Sequence, residues 1–313
     1  MKITKASIDK VLTIEPYKYY THPGESIYKI EEGASSQFVH FESGGKWLWG
    51  DSWRVSYEKP AENNPELFVK LFKEMVSSGT INTWMYREVE ALKKYGSPVI
   101  VGGCGRSGTT LLLSILGAHE KIHAIDEELF AFYPNPTRLI RIIRELDGHD
   151  MDGKIWCEKT PKNILVFDEI HKIFKGDVKL IHLIRDGRDV TTSVHPYHPG
   201  QYWVDIDRWV NDVTKGLEFK DISMIVKYED LVIKPEETLQ RVCSHIGIPY
   251  EKELVDYQDS TNVKTNYAWA GEAKKISSNR VGKWKKSEHQ DRIDEFTKNE
   301  RAMALLEELG YLQ

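Results

Sequence analysis

Apolar positions change their spacing repeatedly along this chain from about residue 98 onward. Short continuous apolar runs at 99–101 and 178–184 are typical of buried strands. The mostly apolar stretch at 109–116 follows a glycine turn and predicts a buried helix, and apolar residues that recur every three or four positions in 235–246 predict another. The same reasoning predicts further strands at 154–157 and 222–226, and further helices at 137–146, 163–174, 207–217, 288–296 and 300–309. Strands that alternate with helices predict an α/β fold, with a mostly parallel sheet flanked by helices on both faces.

The first 95 residues have a different pattern, rich in Tyr, Trp and Gly. Short apolar runs at 38–39, 47–49 and 53–55 predict a few small strands, and helical spacing predicts helices at 65–79 and 82–95. We therefore divide the chain into an N-terminal extension or small subdomain of unknown role, 1–95, and a main domain, 96–313.

A glycine-rich loop joins the strand at 99–101 to the helix at 109–116. Gly103 and Gly108 have P-loop spacing, and a strand, glycine turn and helix in this order place backbone N–H groups around an anion. Thr109 stands where a P-loop has its lysine, which binds the β- and γ-phosphates in kinases and NTPases. Because Arg106 is the only cation in the loop, we predict a P-loop-type anion site whose ligand does not end in a γ-phosphate.

Other residues with chemical potential also follow strand-like runs. Arg106, Lys159, Arg185 and Tyr228 each lie within a few residues of such a run. Ligands of open parallel sheets bind beyond the carboxyl ends of the strands. The four residues are therefore predicted to share one site.

The loop resembles the 5′-phosphosulfate loop of sulfotransferases that use 3′-phosphoadenosine 5′-phosphosulfate (PAPS). The residues that carry this likeness, and that it assigns to cofactor binding, are Gly105, Arg106, Ser107, Gly108, Thr109 and Thr110. The resemblance continues in the family's order to about Leu312, which makes 96–313 a predicted sulfotransferase domain. It implies PAPS as the donor and adenosine 3′,5′-bisphosphate (PAP) as the product.

Two later motifs complete the predicted cofactor site. Arg185 and Ser193 have the separation of the family's 3′-phosphate motif, and a guanidinium can bind a phosphate with two hydrogen bonds. Tyr228 resembles the tyrosine on the adenine side. Arg280 and Gly282 lie in a segment that resembles the C-terminal loop that closes over the cofactor.

Sulfuryl transfer by in-line displacement places charge on the bridging oxygen to the leaving phosphate, by analogy with phosphoryl transfer. Arg106 and Lys159 are the predicted catalytic cations. The segment around Lys159 is similar to the lysine–proline segment of tyrosylprotein sulfotransferases.

A base must also accept the proton of the acceptor hydroxyl. The likeness to tyrosylprotein sulfotransferases places this base at Glu127, with Glu128 next to it. Small-molecule sulfotransferases use a histidine instead, for which His123 is the nearest candidate and His195 and His198 are weaker ones.

Two other functions compete with this interpretation. A P-loop kinase of a small substrate is disfavoured by Thr109 in the lysine position. A non-catalytic nucleotide-binding or sulfate-sensing module is disfavoured if Lys159 and Glu127 lie beside the loop. The acceptor's class is open, among sugars, lipids, phenols, peptide tyrosines and small metabolites.

Composition and charge limit the partners and the cellular location that we expect. A net charge of -5 over 313 residues disfavours nucleic acid as a partner. We find no apolar segment long enough to span a bilayer and no signal-peptide core near Met1. Three cysteines without metal or disulfide spacing favour the cytoplasm. The motifs require no metal.

Overall fold

The computed structural model describes most of the chain beyond residue 88. These residues are 89, 91–133, 139–195, 197–266 and 271–312, together with the backbone of three strands nearer the N-terminus. Those strands, β1 (Glu25–Glu32), β2 (Ser35–Glu42) and β3 (Arg54–Tyr57), form an antiparallel sheet. The predicted strand at 47–49 and helix at 65–79 lie outside the described residues. Of the helix predicted at 82–95, residues 89 and 91–93 are helical.

A second sheet of five strands, in the order β10-β7-β4-β6-β5, carries the main domain. All its strand pairs are parallel, which confirms the predicted fold class. The later strands of the chain are β4 (Val99–Gly103), β5 (Ile122–Ala124), β6 (Ile155–Lys159), β7 (Lys179–Ile184), β8 (Val194–His195), β9 (His198–Tyr202), β10 (Ser223–Lys227), β11 (Thr265–Asn266) and β12 (Gly271–Glu272). Two antiparallel pairs, β8–β9 and β11–β12, stand apart from this sheet.

Helices follow most strands of the main sheet. They are α1 (Thr109–Leu116), α2 (Leu139–Asp147), α3 (Phe167–Ile173), α4 (Gly187–Thr191), α5 (Ile206–Leu217), α6 (Tyr228–Ile233), α7 (Pro235–Ile246), α8 (Gln290–Thr297) and α9 (Glu300–Glu308). The helix predicted at 163–174 begins instead as a 3-10 helix, Pro161–Val166, and becomes α-helical only in α3. Strand β5, helix α6 and the β8–β9 hairpin were not predicted.

The two faces of the sheet are covered by different helices. On one face, Ile181 and Leu183 of β7 pack in a core with α1 and α7. On the other face, Ile184 packs with α5 and α9. Helix α5 lies so close to β7 that a Cβ on Gly216 would come within 2.2 Å of the His182 ring. Because helices cover both faces of the sheet, a ligand is expected to bind among the loops at the carboxyl ends of the strands.

The chain divides into two compact units. One contains Met1–Lys94 and Ala131–Ile143, and the other contains Tyr95–Phe130 and Arg144–Gln313. The separate role of residues 1–95 stays a prediction. Among the described residues, no helix is both long and apolar enough to cross a bilayer.

Candidate active site

The glycine loop between β4 and α1 is packed tightly against neighbouring strand ends. A Cβ on Gly103 would lie 2.3 Å from the Leu183 carbonyl oxygen, and one on Gly108 would lie 2.5 Å from the Tyr228 ring. Gly108 has φ 98° and provides no side chain to cap α1. The first N–H groups of α1 have no partner within the helix, so they are suited to an anion.

Arg185, directly after β7, links the loop to a C-terminal segment. Its Nη1 donates to the Arg106 carbonyl at 3.1 Å, and its Nη2 donates to the Arg280 carbonyl at 2.6 Å. The guanidinium carbon lies 4.4 Å from the centroid of the Tyr228 ring. The structure therefore brings together four residues that the sequence assigned to the cofactor.

Several cations gather at this point. Burial, followed by the charges of Arg280 and Arg185, lowers the pKa of Arg106 to about 10. The pKa of Lys283 is also lowered, first by burial and then by Arg280. An anion placed among these cations would stabilise their charged forms, which otherwise repel one another.

Asp189 holds the C-terminal segment in place, a role that sequence reasoning missed. Its carboxylate accepts from the backbone N–H of Gly282 at 2.8 Å and of Trp284 at 3.0 Å, and it lies 3.5 Å from Arg185 Nη2. The sequence signal that could have pointed to Asp189 is its position four residues after Arg185, in the first turn of α4.

Ser193 lies just beyond the short helix that follows β7, because α4 is only five residues long and ends at Thr191. The Ser193 hydroxyl donates to the Asp189 carbonyl at 2.9 Å. Its contact with a 3′-phosphate stays a prediction, as do the roles of Ser107, Thr109 and Thr110, which are all buried around the start of α1.

Lys159 is fully buried at the end of β6. It is in register with Val101, two residues before the loop glycine at 103. Its Nζ donates to Glu128 Oε1 at 2.5 Å, and the Glu127 side chain is exposed. The structure therefore places Glu128, rather than Glu127, on the buried lysine.

Next to this lysine, Glu158 is a buried carboxyl group that the sequence did not single out. It accepts hydrogen bonds of 2.6 Å from Thr160 Oγ1 and Asn163 Nδ2. Burial raises its pKa from 4.5 to about 7, although both hydrogen bonds and Lys159 act in the opposite direction. The carboxyl therefore titrates near neutral pH.

A pH-dependent stability follows from Glu158. Because the folded protein holds this proton more tightly than the unfolded chain, the contribution of Glu158 to the free energy of unfolding falls as pH rises from about 4.5 to about 7. We expect the difference in that free energy, wild type minus Glu158→Gln, to fall by about 3 kcal/mol across this window. Urea denaturation across the window measures it, with the exposed Glu120→Gln as control. Wild-type and Glu158→Gln curves that stay parallel would contradict the assignment.

A short aromatic hairpin lies beside the loop. The Arg106 guanidinium is 4.9 Å from the Trp203 ring centroid, and His195 stacks on that ring at 4.2 Å. Tyr197 and Tyr202 on the same hairpin are 49% and 37% exposed. We call these four aromatic residues, His195, Tyr197, Tyr202 and Trp203, the aromatic hairpin.

His123 lies on the other side of the sheet from Lys159. Ile122 and Ala124 of β5 belong to the same core as Cys157 of β6. Side chains alternate along a strand, so Lys159 shares the face of Cys157 whereas His123 faces the opposite way. The geometry thus disfavours His123 as the base.

The family model described as the sulfotransferase family matches residues 98–147 and 137–252 of this chain. The chain belongs to the sulfotransferase family. This match confirms the predicted PAPS-dependent sulfotransferase at the level of the family and favours it over the P-loop kinase.

Individual relatives are distant. The chain is 24% identical to protein-tyrosine sulfotransferase 1 of Danio rerio over 51% of its length, and 22% identical to a protein-tyrosine sulfotransferase of Drosophila melanogaster over 52%. These alignments span 56% and 40% of the relatives, so the chain covers about half of their length.

Two solved structures have similar chain traces. The sulfotransferase domain of the Synechococcus PCC 7002 olefin synthase has a TM-score of 0.48 and 16% identity, covering 67% of this chain and 95% of that domain. A mouse sulfotransferase complexed with PAP has a TM-score of 0.46 and 17% identity, covering 70% of this chain and 92% of the mouse chain.

Proposed function

We propose that this protein transfers a sulfuryl group from PAPS to an acceptor hydroxyl at the carboxyl ends of β4, β6 and β7. The observation that carries this proposal is the convergence of Arg106, Arg185 and Arg280 at the glycine loop. Three guanidiniums at one helix N-terminus match a donor that has phosphate groups at both its 5′ and 3′ positions.

Donor binding divides between the loop and Arg185. The loop N–H groups, with Ser107, Thr109 and Thr110, would receive the 5′-phosphosulfate, and Arg185 with Ser193 would receive the 3′-phosphate. Arg185 Nε is buried and has no hydrogen-bond partner among the described residues, so it retains a donor for a ligand. Tyr228 would contact the adenine. Arg280 and Gly282 lie on the C-terminal segment that Asp189 holds beside Arg185.

Binding selectivity tests this assignment. We expect PAP to bind at least about tenfold more tightly than AMP or ATP, because a lost charged hydrogen bond costs about 1.5–3 kcal/mol. Arg185→Gln should remove this preference, whereas Arg241→Gln on the exposed side of α7 should retain it. Calorimetry measures each affinity. Equal affinities of wild type for PAP and AMP would remove the 3′-phosphate role from Arg185.

The catalytic groups lie on the loop and at the end of β6. Arg106 and Lys159 would stabilise the charge that forms on the bridging oxygen of the donor. Of the two predicted glutamates, Glu128 is favoured over Glu127 as the base by its contact with Lys159, since the base must lie beside the reacting atoms.

The acceptor in this proposal carries an aromatic hydroxyl. The aromatic hairpin contacts Arg106 through the Trp203 ring. Its exposed tyrosine rings are surfaces on which a phenol can stack. The two relatives above are named protein-tyrosine sulfotransferases, which agrees with a phenolic acceptor. A cytoplasmic location also belongs to the proposal, supported by three free, buried cysteines, Cys104, Cys157 and Cys243.

A further inference from the structure

Three potential metal ligands come together away from the donor site. One ligand atom from each of His123, Glu145 and His149 lies within 4.8 Å of the other two. His123 is in β5, the edge strand of the main sheet, and Glu145 is in the last turn of α2. His149 follows that helix by two residues. The cluster lies on the face of the sheet opposite Lys159, so the transfer reaction does not use it.

His123 contributes a buried nitrogen. Its side chain is 8% exposed, and its Nε2 is buried without a hydrogen-bond partner among the described residues. A buried polar atom of this kind costs free energy unless a partner reaches it. A metal ion bound by the two neighbouring side chains would supply that partner.

His149 is already oriented as metal-binding histidines usually are. Its Nδ1 lies 2.8 Å from the Glu145 backbone carbonyl. Because a carbonyl only accepts, Nδ1 carries the proton and Nε2 keeps its lone pair. A second ring nitrogen bound to a carbonyl is the arrangement that fixes ligating imidazoles in metalloproteins.

We propose that His123, Glu145 and His149 bind a Zn²⁺ ion. Two imidazoles and one carboxylate are a ligand set that zinc accepts, with a fourth position left to water. Tetrahedral ligands of zinc lie about 3.3 Å apart, given bond lengths of about 2.0–2.1 Å. The exposed His149 and the half-exposed Glu145 therefore need to close by at most about 1.5 Å, which surface side chains can do by rotation.

A bound ion would join the edge strand to the end of α2 and stabilise the folded protein by mass action. We expect Zn²⁺ at about a hundredfold excess over its dissociation constant to raise the Tm of the full chain by about 5 °C. Because the ligands face away from Lys159, the affinity for PAP should not change.

The test uses chelator-treated full-length protein, titrated with Zn²⁺ by calorimetry and with Co²⁺ by visible absorption. We expect saturable Zn²⁺ binding and the absorption bands of tetrahedral Co²⁺ in wild type. His149→Gln and Glu145→Gln should each lower the affinity at least about tenfold and abolish the bands. His171→Gln on α3 and Glu120→Gln are the matched controls and should behave as wild type.

The exposed variants keep the test decisive even if His123→Gln fails to fold. The proposal is overturned if His149→Gln and Glu145→Gln bind Zn²⁺ as tightly as wild type, since the ion then binds elsewhere. It is also overturned if wild type shows neither saturable binding nor a Zn²⁺-dependent rise in Tm. Unchanged PAP affinity in His149→Gln separates either outcome from the transferase proposal.

Discussion

Glu128→Gln is expected to lower kcat by about 10²–10⁴ with an aliphatic alcohol as acceptor, because glutamine cannot take the hydroxyl proton. The loss for Glu127→Gln should be much smaller. Glu128 Oε1 lies 2.5 Å from the buried Lys159 Nζ, whereas the Glu127 side chain is exposed. Glutamine has the size of glutamate, so cofactor affinity should change little in either variant.

The acceptor provides the internal control for this prediction. A phenol ionises at a pKa of about 10, so its rate loss in Glu128→Gln should be smaller and should shrink as pH rises. A tyrosine-containing peptide should also be a better wild-type substrate than a sugar. Steady-state rates with labelled PAPS measure all of these. Full activity of Glu128→Gln together with an inactive but PAP-binding Glu127→Gln or His195→Ala would assign the base to that other residue.

The fold and the centre of the site could be predicted from the sequence because both depend on local, periodic signals. The apolar runs marked four of the five parallel strands to within about two residues, a usual error for element ends, whereas the three-residue β5 was not predicted. The glycine spacing at Gly103 and Gly108 reports a packing requirement, since a Cβ at either position would collide with a neighbouring strand end or ring. Arg185 was found because it directly follows the clearest strand.

Other parts of the site depend on contacts between distant segments and have no periodic signal. The choice between Glu127 and Glu128 turns on one residue in an irregular connection between β5 and α2, where an ungapped likeness does not determine which side chain turns inward. Trp203 contacts Arg106 from the end of the β8–β9 hairpin, whose strands are too short and polar to be predicted from the sequence. Asp189 holds a segment more than ninety residues away.

The position of Lys159 explains why its removal should affect turnover more than binding. The lysine is completely buried, and its Nζ donates a hydrogen bond to Glu128 Oε1. This carboxylate orients the ammonium and balances its charge in the resting protein. Its charge then matters most when the bridging oxygen of the donor becomes anionic, which happens only in the transition state.

Lys159→Ala is therefore expected to lower kcat by about 10²–10³, the usual cost of losing one group that stabilises transition-state charge, with a much smaller change in PAP affinity. Lys159→Met, which keeps the length of the side chain, should behave in the same way and controls for packing. Arg106→Ala should weaken both turnover and PAP binding, because Arg106 is part of the loop itself and is held there by Arg185. Single-turnover rates and calorimetry on the same preparations separate the two effects. An unchanged kcat in Lys159→Met would exclude the lysine from the chemistry and leave Arg106 as the cation that acts on the leaving group.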